Sequence, residues 1–176
     1  MEINLQNIRA GDMSVLRNLL ELYLYDLSEF DGEDVNEHGY YGYNRLDHYW
    51  TEPGRSVFFI RFNRKLAGFS LVRDIADEKC GVIHILSEFF VMRKYRRMKV
   101  GVAAARLTFD LFPGRWRVTE LPNNLPAQIF WQKVISAYTN GHYCNVTLSD
   151  WDGPVQEFSV PTDPKDCAQP AVLSYP

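Results

Sequence analysis

Apolar residues at Leu16, Leu19, Leu20, Tyr23, Leu24 and Leu27 recur with the 3.6-residue period of an amphipathic helix. Asp12, just ahead of them, is a candidate N-cap. A short helix is expected around "NRLDHYW". "SVFFIRF" and "LAGFSLVRDI", joined by Asn63-Arg64-Lys65, predict an antiparallel hairpin, and "GVIHILSEFFVM" predicts a third strand from Val82 to Met92. From Val100 to Phe112 the pattern is helical, with Val100, Ala104, Leu107 and Leu111 on one face and Pro113-Gly114 as the stop. "RWRVTEL" is a fourth strand, and Pro126 begins another helix, "PAQIFWQKVISAY". "HYCNVTLSD" and "VQEFSV" then predict a closing hairpin around Trp151-Asp152-Gly153-Pro154. This order of elements fits an α+β fold, a mixed sheet with a single core. One domain is expected over residues 1–160, followed by a loosely attached, proline-punctuated tail over 161–176.

Composition narrows the class. The 176 residues suit one domain, and 46% hydrophobic with 14% aromatic residues can fill its core. A formal net charge of -3 gives no overall basic surface, so nucleic acid is not an expected partner. No apolar run approaches the roughly 20 residues of a spanning helix, so no membrane partner is expected. The N-terminal "MEINLQNIRAGD" lacks a signal-peptide plan, and a cytoplasmic protein is the expectation. Cys80, Cys144 and Cys167 show neither pairing nor zinc-ligand spacing, so no metal is expected.

Two stretches of charge stand out. Asp26 to Asn44 holds Asp26, Glu29, Asp31, Glu33, Asp34 and Glu37 without a Lys or Arg, and adds Tyr40, Tyr41 and Tyr43. It reads either as a solvated acidic loop or as a rim that attracts a cationic ligand. "YRRMKVGVAAARLTF" places Arg96, Arg97 and Lys99 just before a helix. The positive end of the helix dipole makes cations mildly unfavourable there, and free backbone N–H groups in that turn bind phosphate. A bound anion and a bare basic surface turn fit this spacing equally. Neither the phosphate-loop lysine pattern nor G-x-G-x-x-G is present, so a nucleotide-hydrolysing or dinucleotide site is a poor fit.

"FFVMRKYRRMKVGVAAARLTFDLF" resembles motif A of the GNAT superfamily of acyl-CoA-dependent N-acetyltransferases. "NLPAQIFWQKVI" resembles its motif B through Asn124, Ala127, Phe130 and Lys133. The family signature Arg/Gln-x-x-Gly-x-Gly/Ala reads Arg96-Arg97-Met98-Lys99-Val100-Gly101, with Lys99 in place of the first glycine. The resemblance implies a GNAT-like fold with a mostly antiparallel central sheet flanked by helices. It also implies that acetyl-CoA is the cosubstrate, with no metal. Its pantetheine arm would pair with the backbone of Phe89, Phe90 and Val91, and its pyrophosphate would sit on the turn formed by Arg96, Arg97, Met98, Lys99, Val100, Gly101 and Val102. Asn124 would contact the pantetheine, and Trp131 would pack against the arm. Because the helix begins here, Lys99 is expected to have helical dihedrals.

Transfer to an amine needs a neutral nitrogen, so a general base is required. Glu88 on the third strand is the candidate, with a salt-bridged sheet carboxylate as the competing reading. Strand alternation puts it on the face of His84, Leu86, Phe90 and Met92. Apolar neighbours there would raise its pKa. Glu120 is the reserve, and His84 is expected to pack in the sheet. The family often takes its general acid from a tyrosine seven residues after the motif-B asparagine, which here is Trp131. Tyr138, Tyr143 or water would substitute. The expected function is transfer of an acetyl group to a small-molecule or peptide amine, guided in as a cation by Asp26 to Glu37. The alternative is a non-catalytic acyl-CoA-binding domain, and the family also allows a homodimer.

Overall fold

The computed structural model describes residues 2–78 and 81–162, so Cys80, Cys167 and the tail from residue 163 lie outside the described residues. Strand β1 (Ile3–Asn7) leads into helix α1 (Met13–Asp31), and a short α2 (His48–Thr51) precedes β2 (Arg55–Phe62), β3 (Lys65–Asp77) and β4 (Gly81–Val91). Then follow α3 (Val100–Asp110), β5 (Gly114–Thr119), α4 (Leu125–Tyr138), β6 (Cys144–Asn145) and β7 (Val155–Val160). The strands form one sheet in the order β1-β2-β3-β4-β5-β7-β6. Among the described strands only β4 and β5 pair in parallel, because the α3 crossover returns the chain in the same direction. The fold is therefore α+β, mostly antiparallel, with helices against the sheet.

Four local expectations change. β1 was absent from the hydropathy pattern because its five residues carry only Ile3 and Leu5 as apolar positions; its ladder with β2 completes it. Asp12 stands at the N-cap position of α1, but its side chain makes no capping bond. That helix runs to Asp31 and stops at Gly32, whose φ of 75° suits glycine, so Asp26, Glu29 and Asp31 are helical. Helix α3 buries Val100, Ala104, Ala105, Thr108 and Phe109, while Leu107 and Leu111 are 36% and 50% exposed. The small alanines let α3 lie close to the sheet, and this choice rotates the leucines outward.

The expected single core is split by the sheet. Leu16 and Leu20 of α1 meet Phe59, Phe69, Leu71 and Phe90 on one side. Ala105 and Phe109 of α3 and Trp131 and Ile135 of α4 meet Leu86, Trp116 and Phe158 on the other. Side chains of this size each stabilise by about 1.5–3 kcal/mol when fully buried. The two layers together hold β4 and β5 rigidly where the site forms.

Candidate active site

The register between β3 and β4 jumps from Leu71↔Glu88 to Val72↔Leu86, leaving Ser87 as the extra residue of a β-bulge. One extra residue inverts the alternation beyond it. Leu86 therefore packs toward α3 and α4, whereas Phe90 packs toward α1. Glu88 turns to the α1 side with Phe90 and does not share a face with His84 and Leu86, contrary to simple alternation. His84 packs on Trp116 and Phe112, and its ring nitrogens meet Asp74 and the Pro113 carbonyl.

On the α1 side, the Tyr23 hydroxyl donates to Glu88 at 2.6 Å and the Tyr43 hydroxyl at 3.1 Å. Tyr43 is brought in because the Glu21 carboxylate accepts from the backbone N–H groups of Tyr41 and Gly42, tying the loop after α1 back onto the helix. Burial raises the Glu88 pKa above the usual carboxylate range, and the two phenols and the charge of Arg73 offset part of that rise. In the hydropathy pattern Tyr23 is one apolar helix position among several leucines, and nothing local marks it as a partner of Glu88.

Glu88 opens into a cleft of about 440 Å³ between α1, β4, β5 and the start of α4. Glu120, just past β5, lines the same cleft and is only 4% exposed. Its carboxylate oxygens make no hydrogen bond of good geometry among the described residues. Burial pushes its pKa up to about 8, and the neighbouring Gln156 side chain works against that rise. Its backbone is clamped: Trp151 Nε1 donates to the Glu120 carbonyl, and Glu120 N donates to the Pro154 carbonyl. Asn124 and Trp131 also line the cleft; Asn124 caps α4 by accepting from Ala127 N at 3.1 Å. Tyr138 lies elsewhere. Its hydroxyl donates to Asp110 at 2.6 Å, its ring packs on Phe109 and Phe158, and it does not line the cleft. Tyr143 packs against the same cluster.

The other end of the site is where β4 and β5 part. Their pairing ends at Leu86↔Val118, although β4 continues to Val91. Met92 N bonds the Ala67 carbonyl, so antiparallel alternation points the backbone groups of Phe89 and Val91 to the open edge. Past that edge, Arg97 and Lys99 have φ of 61° and 62°. Lys99 is thus left-handed rather than helical, because it precedes the first turn of α3 instead of belonging to it. Residues alternating through the left-handed region orient successive N–H groups toward one concavity, an anion-binding nest. The first intrahelical bond is Ala103 N to Lys99 O, leaving the N–H groups of Val100, Gly101 and Val102 ahead of the ladder. Gly101 packs closely on α4: a Cβ there would lie 3.2 Å from the Phe130 ring, which would have to shift slightly.

Arg96 is not a free phosphate ligand. Its Nε donates to the Val91 carbonyl at 2.8 Å, and its guanidinium also pairs with Asp26, which holds Arg93 at 2.8 Å. Asp26 therefore braces the turn, and Arg97 and Lys99 remain as its outward cations. An open strand edge followed by a cationic nest fits a pantetheine arm and its pyrophosphate.

No group of His, Cys, Asp and Glu suited to holding a metal occurs among the described residues. No helix among them is long and apolar enough to cross a membrane. No curated protein sequence matches the chain. Among solved structures, an acetyltransferase from Thermus thermophilus is similar in fold, with a TM-score of 0.67 at 13% identity, covering 91% of this chain and 98% of the other. Arabidopsis thaliana Naa50 in complex with a CoA bisubstrate analogue gives a TM-score of 0.58 at 12% identity, over 90% and 99% of the two chains. An aminoglycoside acetyltransferase in complex with coenzyme A gives 0.60 at 12% identity, over 90% and 95%. The family model for GNAT acetyltransferases matches residues 19–135, spanning the bulged strand, the nest and the start of α4 together, and the chain belongs to that family.

Proposed function

We propose that this chain transfers the acetyl group of acetyl-CoA to the nitrogen of an amine acceptor. The observation that carries the reading is the bulge at Ser87, which aims a desolvated Glu88 carboxyl into a cleft beside the diverging β4 and β5 edges. When bound, acetyl-CoA supplies an activated acetyl thioester. The open edge at Phe89 and Val91 would orient the arm, and the nest from Arg97 to Val102 would hold the pyrophosphate. In the net reaction a C–N bond forms and the C–S bond breaks. Glu88 takes the proton that the amine must lose, and its raised pKa makes it a stronger base than an exposed carboxylate. Glu120 holds a proton near neutral pH and is suited to supply one to the leaving sulfur. It replaces Tyr138 in that role, since Tyr138 is turned away from the cleft.

The acidic stretch gives little support to a cationic acceptor. Asp26 is bound by Arg93 and Arg96, and Glu33, Asp34 and Glu37 do not line the cleft, which leaves Asp31 as the carboxylate of that stretch that does. The decisive experiment is a spectrophotometric thiol-release screen with acetyl-CoA over pooled amines, run beside Glu88→Gln. Acceptor-stimulated release that falls in the variant supports the reading. Cofactor binding with no stimulation by any amine would favour a non-catalytic acyl-CoA-binding domain.

A further inference from the structure

We infer that the acceptor carries an oxyanion group, a carboxylate or a phosphate, close to its amine, and that Arg73 with Arg55 and Arg45 forms the subsite that recognises it. The inference rests on the acetyltransfer reading for the amine end only. Arg55 and Arg73 are direct cross-strand partners on β2 and β3, so their side chains leave the same face of the sheet. Like charges placed directly opposite one another destabilise a sheet. The pair is nevertheless built into the wall of the cleft, and Arg45 reaches the same cleft from the loop before α2.

Internal compensation is incomplete. Arg55 pairs with Glu52 at 2.7 Å and lies over the Tyr49 ring at 5.3 Å. Neither Arg73 nor Arg45 has an ion-pair partner among the described residues. Asp31, Glu88 and Glu120 line the same cleft, and the charge of Arg73 acts on Glu88, but none of the three carboxylates is within ion-pair distance of Arg73 or Arg45. The guanidinium groups of Arg73 and Arg45 therefore stay open to an anionic group of a ligand in the cleft. The buried Tyr49 hydroxyl and Ser87 Oγ line the same cleft, where Tyr49 interacts with Ser87, Tyr43 and Arg55. Two buried hydroxyls lining the cleft beside three guanidinium groups describe a polar ligand site.

The spacing limits the ligand. Glu88 faces Leu71 across the ladder, and Arg73 is two residues further along the same face of β3. That separation is about 7 Å of strand. An amine near Glu88 and an anion near Arg73 thus belong to one short molecule, as in an ω-amino acid or a phosphorylated amino alcohol.

The test uses matched pairs with acetyl-CoA: β-alanine against propylamine, and phosphoethanolamine against ethanolamine. In at least one pair the anionic member should have a kcat/KM at least about tenfold higher, the scale of one charge-assisted hydrogen bond; the pair that responds distinguishes carboxylate from phosphate. Arg73→Gln should raise KM for that member about tenfold more than for its neutral counterpart, and Arg73→Lys should restore part of the loss. Arg45→Gln, on an exposed loop, provides a second variant whose folding is not at stake. Equal kcat/KM within both pairs, or an unchanged KM in both glutamine variants, would overturn the inference. If no amine is turned over, the acetyltransfer reading fails, and calorimetry of the CoA-loaded protein with β-alanine and phosphoethanolamine judges the subsite separately. Binding that Arg73→Gln abolishes supports it; absence of binding to the wild type refutes it.

Discussion

Glu88 illustrates how one carboxylate is tuned by opposing terms. Burial raises its pKa, while the Tyr23 and Tyr43 hydroxyls stabilise the charged form and pull the value back. Replacing either tyrosine by phenylalanine removes a donor to the carboxylate, so its pKa should climb further. The acidic limb of kcat/KM against pH should accordingly move to higher pH in Tyr23→Phe and Tyr43→Phe; an unmoved limb would show that Glu88 is not the titrating base. Glu88→Gln keeps the shape and removes the proposed base. Turnover near neutral pH should drop about 100-fold, with partial recovery at alkaline pH, where more acceptor is already neutral. A glutamine variant with wild-type turnover would move the role to another group.

At the scale of elements, the turn between β4 and α3 combines backbone geometry with charge. The left-handed region costs a residue with a side chain about 1–2 kcal/mol, so Lys99 is retained there against a conformational penalty. Lys99→Gly should preserve the melting temperature and most CoA affinity, because the nest survives. Lys99→Val should weaken CoA binding on the order of tenfold or more, since β-branching opposes positive φ. Reversing charge at Arg97 and Lys99 together should abolish calorimetric CoA binding with little change in the melt. Equal CoA affinity in the valine and glycine variants would mean that this backbone conformation does not hold the phosphates.

For the molecule as a whole, Glu120 is a liability to stability. In the fold it keeps its proton up to about pH 8, whereas an unfolded glutamate loses it near pH 4.3. Between those values the folded state binds more protons, so stability is greatest at the acidic end and falls as pH rises through the window. Glu88, also raised, adds in the same direction. The melting temperature should therefore decline from about pH 5 to about pH 8, and Glu120→Gln should flatten that decline and raise the melt at pH 8 by a few degrees. A pH-independent wild-type melt across this range would contradict the burial of Glu120 without a cationic partner among the described residues. If Glu120 also supplies the proton to sulfur, the same variant should lose activity.

Hydropathy periods and turn residues carry the element order from α1 to β7, because each depends on neighbours within a few positions. The same is true of the cationic turn before α3 and of the glycine at position 101, whose motif is contiguous. What the sequence did not disclose required pairing across the sheet. Edge strand β1 exists through its ladder with β2, and the bulge at Ser87 is visible only in the register with β3. That bulge decides which face Glu88 joins. Long-range contacts likewise gather Tyr23, Tyr43 and Glu88, remove Asp26 from the acidic rim, and turn Tyr138 away from the cleft. Local sequence determines which elements form because their signals are short-range. Which side chains meet in the cleft is decided by strand register and layer packing, which join positions scores of residues apart.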